Sequence, residues 1–437
     1  MTRIPLPTAS YDLPSRSPGR LLNCWAQTAP QGKSPVELVG LPGIATQATF
    51  TGAGRGLHVA RNRLLAVAGG TLYDVLRQTP LGSVGGGSDP VTFATLPQQT
   101  VLSTGHVLEG DAVTLIDDPE RVPWAAIGYC DGFVLGVEAG TGRFVGSALN
   151  DGTSYNGLDF ATAEGSPDDL VTLVVDHRQA VLAGTESVEV WYNAGGSGFP
   201  FERVANGFVE LGCLARHGIV KADNSVFWLA SDRTVRRLSG STPVRVSQNG
   251  VEAALGRYTV TDCRAFSFTW GGQVHVWFRF PTENASWVLN VSTGEWWESD
   301  LPLVAAATFE GQVYVQHEDG RVGRLTISTA RHFGATSRVS VTWPSIVTGG
   351  RHVLAQADFA LRTGEAEPGT IPLATLEVSH DGGNTYHTMP LRELGRAGEY
   401  LRVLRWSRLG QGRETVLRLS CAEAVPFHLT DASVVVL

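Results

Sequence analysis

The sequence is poor in charge. Only 17% of its 437 residues are Asp, Glu, Lys or Arg, below the roughly 25% usual in soluble globular chains, whereas 43% are hydrophobic. The net charge of -8 excludes a generally basic protein that coats nucleic acid. We therefore expect a large apolar core and a surface that is neutral and polar or packed against partners.

The sequence also lacks cysteine pairs and long apolar runs. Its five cysteines are scattered with no CxxC among them, which favours free thiols in a reducing compartment. No run of about 18 apolar residues is present to span a membrane. The first 19 residues have no apolar centre of the kind found in signal peptides. We expect a chain that folds in a cytoplasm, whatever its final destination.

Motifs that carry chemistry are missing as well. The 11 histidines are dispersed, and neither HExxH nor GxSxG occurs. The GGGS at 85–88 is followed by no Lys and no helix start, so it is not a phosphate loop. The sequence therefore predicts no metal, no cofactor, no small-molecule ligand and no enzymatic activity.

Glycine is abundant, with 51 residues, which indicates many turns and short strands. From residue 56 onward a unit of short strands and polar turns repeats, and its first turns fall near Asn62, Asp131, His177, Asn224, Gly271 and Gly311. From Asp131 the spacings are 46, 47, 47 and 40 residues. A period of about 40–50 residues with several strands is typical of a β-propeller.

The gap from Asn62 to Asp131 is 69 residues, and the strand-like segment 101–118 is a candidate for a divergent blade within it. Six or seven blades are therefore open. We also expect the ring to close by pairing a strand from before Leu57 with strands after Ala305.

The fold class predicted is all-β, in three segments. Residues 1–50, rich in Pro, Gly and Ser, are interpreted as an extended N-terminal arm. Residues 51–330 hold the propeller. Residues 331–437 alternate polar and apolar positions in strands every 10–20 residues, which indicates a C-terminal β-sandwich.

The segment SHDGGNTY at 379–386 fits the Asp-box pattern found in sialidases and related propellers. It is also a hairpin device, in which polar side chains bond turn amides and glycines allow positive φ. It occurs once, outside the repeats, so we interpret Ser379, Asp381, Gly383 and Thr385 as a structural turn. The alternative is a sialidase-like, carbohydrate-active or carbohydrate-binding propeller, for which Asp381, Asp168 and Asp169 would be tested first.

Long stretches resemble a known family in order along the chain. They include LLNCWAQTAPQGKSPVELVGLPG (21–43), GRGLHVARNRLLAVAGGTLYDV (54–75), the segment 147–194 that begins SALNDGTSYNGLDF, and WVLNVSTGEWWES (287–299). These segments resemble the packaged-DNA stabilisation proteins of short-tailed bacteriophages, also called tail hub or nozzle proteins. The resemblance covers most of residues 20–415, and 76–124 departs from it.

The resemblance implies a non-catalytic structural protein of the virion tail, assembled in the host cytoplasm. Its fold would be a propeller, and its copies would form a homo-oligomeric ring, commonly a hexamer, beneath the portal and its adaptor. Tailspikes or fibres and a distal plug would attach to that ring. Genomic DNA would pass through it without specific binding. A third possibility is a host-recognition component whose exposed aromatic residues bind cell-surface sugar.

Charge is distributed unevenly along the chain. Positions 101–210 hold 17 Asp and Glu against 4 Arg and Lys, a net of -13, and the remainder has a net of +5. An acidic wall would let DNA slide, because cations on phosphates would hold it. We therefore expect acidic residues of this segment to face the channel, among them Asp117, Asp118, Glu164, Asp168 and Asp169. The alternative, a solvated outer face, has equal weight.

The segment LNDGTSYNGLDFATAEGSPDD at 149–169 is long, polar and rich in glycine. Loops of this length in a compact fold are usually functional. We expect it at a subunit or adaptor interface, with Tyr155, Asp159 and Phe160 buried there. The alternative is that it only packs across its own blade.

Overall fold

The computed structural model describes residues 2–13, 16–29, 35–163, 165–196, 198–366 and 370–437. Within these ranges the one α-helix is Asn249–Leu255. No described helix is both long enough and apolar enough to cross a membrane. The rest of the regular structure is β-strand, as the sequence predicted.

Seven four-stranded antiparallel meanders form the blades of a propeller within the described residues. Six of them are separate sheets, and the meander at 264–299 is joined at its outer strand to the C-terminal sheet. In chain order of their inner strands, the blades are Gly54–Ala60, Arg63–Ala68, Thr71–Asp74 and Thr79–Ser83 (blade 1); Phe93–Thr95, Gln99–Leu102, His106–Glu109 and Ala112–Leu115 (blade 2); Trp124–Cys130, Phe133–Glu138, Arg143–Ala148 and Asp151–Thr162 (blade 3); Leu170–Asp176, Gln179–Gly184, Val188–Asn193 and Phe201–Val209 (blade 4); Ile219–Ala222, Ser225–Leu229, Val235–Ser239 and Thr242–Arg245 (blade 5); Arg264–Trp270, Gln273–Phe280, Ala285–Asn290 and Glu295–Ser299 (blade 6); Leu303–Phe309, Gln312–His317, Arg321–Thr326 and Gly43–Thr49 (blade 7).

The inner strands follow one another around a closed ring. Each packs beside the inner strand of the next blade, and that of blade 7 packs beside that of blade 1. Blades 1 and 2 meet through the stacked rings of His58 and Phe93, whose centroids are 4.7 Å apart. The segment expected to be a divergent blade belongs to blade 2, which begins earlier, at Phe93. Of the two blade numbers left open by the sequence, the ring has seven places.

The first turn of each repeat is a tight hairpin. All six turn residues inferred from the spacing have positive φ, between 46° and 72°: Asn62, Asp131, His177, Asn224, Gly271 and Gly311. Type I′ turns require this conformation, and their twist matches that of the flanking strands. The repeat detected in the sequence is therefore the spacing of these hairpins.

A strand from the N-terminal segment closes the ring. Gly43–Thr49 pairs antiparallel with Arg321–Thr326, with Ile44 opposite Leu325 and Thr49 opposite Arg321. The expected closure is confirmed, since a strand from before Leu57 completes a blade that starts after residue 300. The boundary at residue 50 consequently does not separate an arm from the propeller.

A β-sandwich follows the propeller, and it takes up most of the N-terminal segment. Its two long strands, Ile346–Arg362 and Gln411–Cys421, each contribute to both sheets. Between the sheets Trp343, Phe359 and Trp406 pack with ring centroids 5.2 and 5.8 Å apart. The strands outside the blades are Thr2–Arg3, Tyr11–Leu13, Arg16–Leu22, Cys24–Thr28, Val36–Gly40, Val339–Thr342, Ile346–Arg362, Leu373–Ser379, His387–Thr388, Arg392–Glu393, Leu401–Ser407, Gln411–Cys421 and His428–Val436.

The N-terminal segment is not a free arm. Arg16–Leu22 pairs with Val339–Thr342, and the hairpin Cys24–Thr28 and Val36–Gly40 joins the last strand of the chain. Its many prolines and glycines masked these short strands in the sequence. The segment therefore ties the sandwich to the propeller.

An aromatic cluster joins the sandwich to blade 6. Trp25 packs against Trp297 and His275, with ring centroids 5.5 and 4.8 Å apart, and Trp277 lies edge-on to Trp297 at 5.3 Å. All four side chains are buried. Burial lowers the pKa of His275 to about 4, so the imidazole is neutral at physiological pH. The two domains consequently share one core.

Candidate functional site: the propeller channel and the outer strands

The inner strands of all seven blades line a central cavity of about 520 Å³. Among its described lining residues none is Asp or Glu, and four are cations: Arg55, Arg216, Lys221 and Arg264. The positive charge is concentrated because blades present their inner strands in the same direction, with three of these arginines near the N-terminal ends. The channel of a single subunit is therefore basic.

Two of these arginines are tethered by backbone carbonyls. Arg55 donates to Asp89 O, Gly69 O and Gly85 O, each at 2.7 Å. Arg264 donates to Gly54 O at 3.2 Å and Ser88 O at 3.0 Å. Burial lowers the pKa of both guanidinium groups, yet arginine stays charged in proteins. These side chains close one end of the channel.

Blades 3 and 4 share an unusual outer edge. In blade 3 Val145 is opposite Phe160 and Ser147 is opposite Tyr155, so residues 156–159 bulge out. In blade 4 the corresponding pairings leave residues 204–207 bulged in the same way. The segment 149–169, predicted as a loop, is therefore largely the bulged strand Asp151–Thr162. Bulges of this kind prevent further strands from pairing with an edge.

The three predicted interface residues differ in exposure. Tyr155 is buried within its own subunit: its hydroxyl donates to Gly152 O at 3.0 Å, and its ring lies 5.3 Å from that of Trp124. Phe160 is 37% exposed, and the Arg143 guanidinium lies 4.0 Å from its ring centroid. Asp159 is half-buried. For Tyr155 the alternative, packing across its own blade, describes the structure.

Sequence reasoning missed Leu158 at the tip of the bulge. Its side chain is 81% exposed, while the backbone beside it is held by the carboxylates of Asp118 and Glu120, which accept from Tyr155 N at 2.9 Å and Gly157 N at 2.6 Å. An apolar residue inside a polar, glycine-rich stretch was the available signal. The bulge thus presents a leucine on a fixed support.

The acidic residues expected in the channel lie elsewhere in the subunit. Asp118 accepts from backbone amides, as above. Asp168 accepts from Glu186 N at 2.8 Å and from Ser187 N at 3.0 Å, which orders a turn of blade 4. Asp117 and Asp169 are exposed, and Glu164 lies outside the described residues. None of the four described carboxylates lines the propeller's own channel, because they sit on links and turns outside the inner strands.

Comparison with known proteins decides the family. The family profile described as phage stabilisation, bacteriophage P22 Gp10, β-propeller, matches residues 19–296, which is more than half of the chain. The chain belongs to this phage stabilisation family. The resemblance drawn from the sequence is thereby confirmed, and membership makes the chain a structural protein of a bacteriophage particle, associated with DNA stabilisation.

No curated relative matches this phage stabilisation chain. Similar solved structures include BamB from Moraxella catarrhalis, with 14% identity over 74% of this chain and 94% of that one and a TM-score of 0.42. YCF48 from Cyanidioschyzon merolae shares 10% identity over 65% and 98%, with a TM-score of 0.43. PorZ from Porphyromonas gingivalis shares 10% identity at a TM-score of 0.40, over 65% of this chain. The chain spans 38% of the length of PorZ.

The Asp-box of the phage stabilisation chain forms a hydrogen-bonded turn. Ser379 Oγ donates to Asp381 Oδ1 at 2.7 Å and accepts from Gly383 N at 2.9 Å. Thr385 donates to Asp381 through N at 2.9 Å and Oγ1 at 2.6 Å. Both carboxylate oxygens of Asp381 are thus occupied by the turn, as the hairpin interpretation requires. The sialidase alternative loses the motif on which it was based.

The acid dependence of stability tests this turn. Hydrogen bonds from Thr385 and Ser379 hold the pKa of Asp381 well below its ordinary value of 3.8. The stabilisation from Asp381 is therefore complete above pH 3.8 and decreases as the pH falls further, because the unfolded chain then binds more protons than the folded one. We expect Asp381→Asn to be less stable than wild type in urea at pH 5, with a smaller difference at pH 3. A difference that grows on acidification would contradict this assignment.

The described residues of the phage stabilisation chain hold no group of three or more His, Cys, Asp or Glu placed to bind a metal. All five cysteines are buried and unpaired with one another. Burial raises the pKa of Cys213 to about 12 and that of Cys130 to about 11, which keeps these thiols protonated and unreactive at neutral pH. Their structural role agrees with the free thiols expected from the sequence.

Proposed function

We propose that the chain is the subunit of a ring-shaped tail hub. The ring extends the DNA channel below the portal and its adaptor, helps to retain packaged DNA, and carries tailspikes or fibres and a distal plug. Its role is mechanical, and DNA passes through the hole between subunits without specific binding. The family assignment supports this proposal.

The observation that carries the ring is the separation of charge across the subunit. Blades 2 to 4 are neighbours around the propeller, and they fall within the segment 101–210 that holds the net charge of -13. The remainder has a net charge of +5. Acidic side chains exposed on this flank are Asp117, Glu120, Asp169, Glu186, Glu202 and Glu210.

A subunit with one acidic flank favours contact between unlike surfaces. The acidic flank of one copy attracts the more basic surface of the next and repels a second acidic flank. Contacts between two different surfaces produce rings when the rotation closes. We infer that blades 2 to 4 face a neighbouring copy, with the bulge at 156–159 in the contact.

The hole of such a ring, rather than the propeller channel, would carry the DNA. Exposed carboxylates such as Asp117 and Asp169 would repel phosphates at short range, since screening limits the effect to about 8–10 Å at moderate salt. The acidic lumen expected from the sequence is retained here only for exposed members of that set. It predicts that the purified ring binds duplex DNA weakly.

The exposed leucine of the bulge gives the sharpest test of assembly. We expect Leu158→Glu to weaken ring formation roughly 10- to 30-fold, because it places a like charge on the acidic flank and removes an apolar contact from the interface. Mass photometry over a concentration series measures the ring fraction. The matched control is Ile327→Glu, since Ile327 is 83% exposed and lies outside the acidic segment.

The measurement separates the ring from its proposed surface. A wild-type chain that stays monomeric at micromolar concentration would refute the hub. Rings that form equally well in wild type, Leu158→Glu and Ile327→Glu would keep the hub and reject the bulge as its interface. Adding Phe160→Ala, which removes the second exposed apolar group of this strand, should weaken assembly further.

A further inference from the structure

The basic end of the propeller channel has a feature that assembly does not explain. Arg216 and Arg264 both lie there, at the start of the inner strands of blades 5 and 6, and no carboxylate lines the cavity with them. Lys221, farther along the channel, is neutralised by Asp176 at 2.9 Å. The charge of the two arginines has no such ion pair among the described residues.

The backbone brings the two arginines to one place. His217 forms a parallel bridge with Arg264, and Ala265 N donates to His217 O at 2.7 Å. Arg216 precedes this bridge directly and is exposed. Arg264 reaches past blade 7 to carbonyls at the edge of blade 1, so its guanidinium lies across the end of the channel.

The unpaired charge has an electrostatic cost. Arg264 loses hydration on burial, and the carbonyls accept two of its five N–H groups. The pKa of His217 falls to about 3 because the ring is buried and because Arg216 and Arg264 add positive potential. Neutral carbonyls compensate a buried cation less than an anion does. The site therefore gains stability from a bound negative charge.

We propose that this end of the channel binds a phosphate group, held by the forks of Arg216 and Arg264. A guanidinium matches phosphate oxygens in a bidentate geometry. A cavity of about 520 Å³ lies within the roughly 300–1,000 Å³ of small-ligand sites, so both free phosphate and the phosphate of a nucleotide fit this chemistry. The proposal is independent of the hub, because it concerns a single subunit.

Isothermal titration of the full chain with inorganic phosphate tests the site, with chloride at matched ionic strength as the reference. We expect saturable binding, weakened roughly 10- to 100-fold by Arg216→Ala, since hydrogen bonds to charged groups contribute about 1.5–3 kcal/mol. Arg216→Lys, which keeps the charge and loses the fork, should bind with intermediate affinity. Arg257→Ala removes an exposed arginine outside the cavity and should bind as wild type does.

Two further arms decide the source of the phosphate. Titration with deoxyadenosine monophosphate and with deoxyadenosine separates a phosphate site from a site for the base, and only the monophosphate should bind. Thermal melts without ligand check that the variants are folded. Binding of deoxyadenosine equal to that of its monophosphate, no saturation by phosphate, or equal losses in Arg216→Ala and Arg257→Ala would each overturn the proposal.

Discussion

Replacing Ile44 by Asp should open the propeller ring. Ile44 is 1% exposed in the strand that closes blade 7, opposite Leu325. An unpaired carboxylate there is buried in the apolar core that blade 7 shares with the sandwich. We expect a loss of more than about 4 kcal/mol in the free energy of unfolding, a cost typical of buried, unpaired charges.

The closing strand itself provides the control. Thr46, two residues along, is exposed, and Thr46→Asp should cost about 1 kcal/mol or less. Urea unfolding followed by circular dichroism gives both values, and limited proteolysis should cut the Ile44→Asp variant in the released N-terminal segment first. If the two variants were equally stable, the strand would not hold the ring closed.

Truncation of Trp297 is the second large effect that we expect. Its ring contacts Trp25 from the N-terminal segment and Trp277 from its own blade, and it is 1% exposed. Trp297→Ala leaves a cavity at the junction of propeller and sandwich, and removal of a buried aromatic side chain costs about 3–5 kcal/mol.

Loss of this contact should also uncouple the domains. We expect the thermal transition of Trp297→Ala to broaden or divide, whereas Tyr400→Ala, at a 71% exposed position, should stay within about 0.5 kcal/mol of wild type. Differential scanning calorimetry distinguishes these outcomes. A single sharp transition at the wild-type temperature for Trp297→Ala would show that the aromatic cluster does not couple the two domains.

The propeller could be predicted from the sequence because its turns are local. Asn62 or Gly311 adopts positive φ for reasons contained in a few residues, and regular spacing then reveals the blades. Blade 2 was harder to recognise because its strands have only three or four residues. The N-terminal strands were missed because they are stabilised by partners about 280 to 390 residues away, such as the pairing of Val39 with His428.

The site was less predictable for a related reason. The sign of the charge on 101–210 could be counted, but the direction of each carboxylate depends on which backbone amide needs an acceptor. Asp118 and Asp168 are used in this way, within the subunit. The basic channel arises from Arg55, Arg216 and Arg264, which are 161 or fewer residues apart in pairs of neighbouring positions and meet only when the ring closes.

The way the ring is closed sets a schedule for synthesis. Gly43–Thr49 leaves the ribosome long before Arg321–Thr326, its partner in blade 7. At about 5–20 residues per second, the wait is roughly 15–60 s. During that time the first blade has no neighbour on one side, and an unpaired strand is open to other chains. A host cell making many copies at once must therefore protect the nascent N-terminal half, and overproduction at high temperature should yield aggregates rather than truncated, soluble propellers.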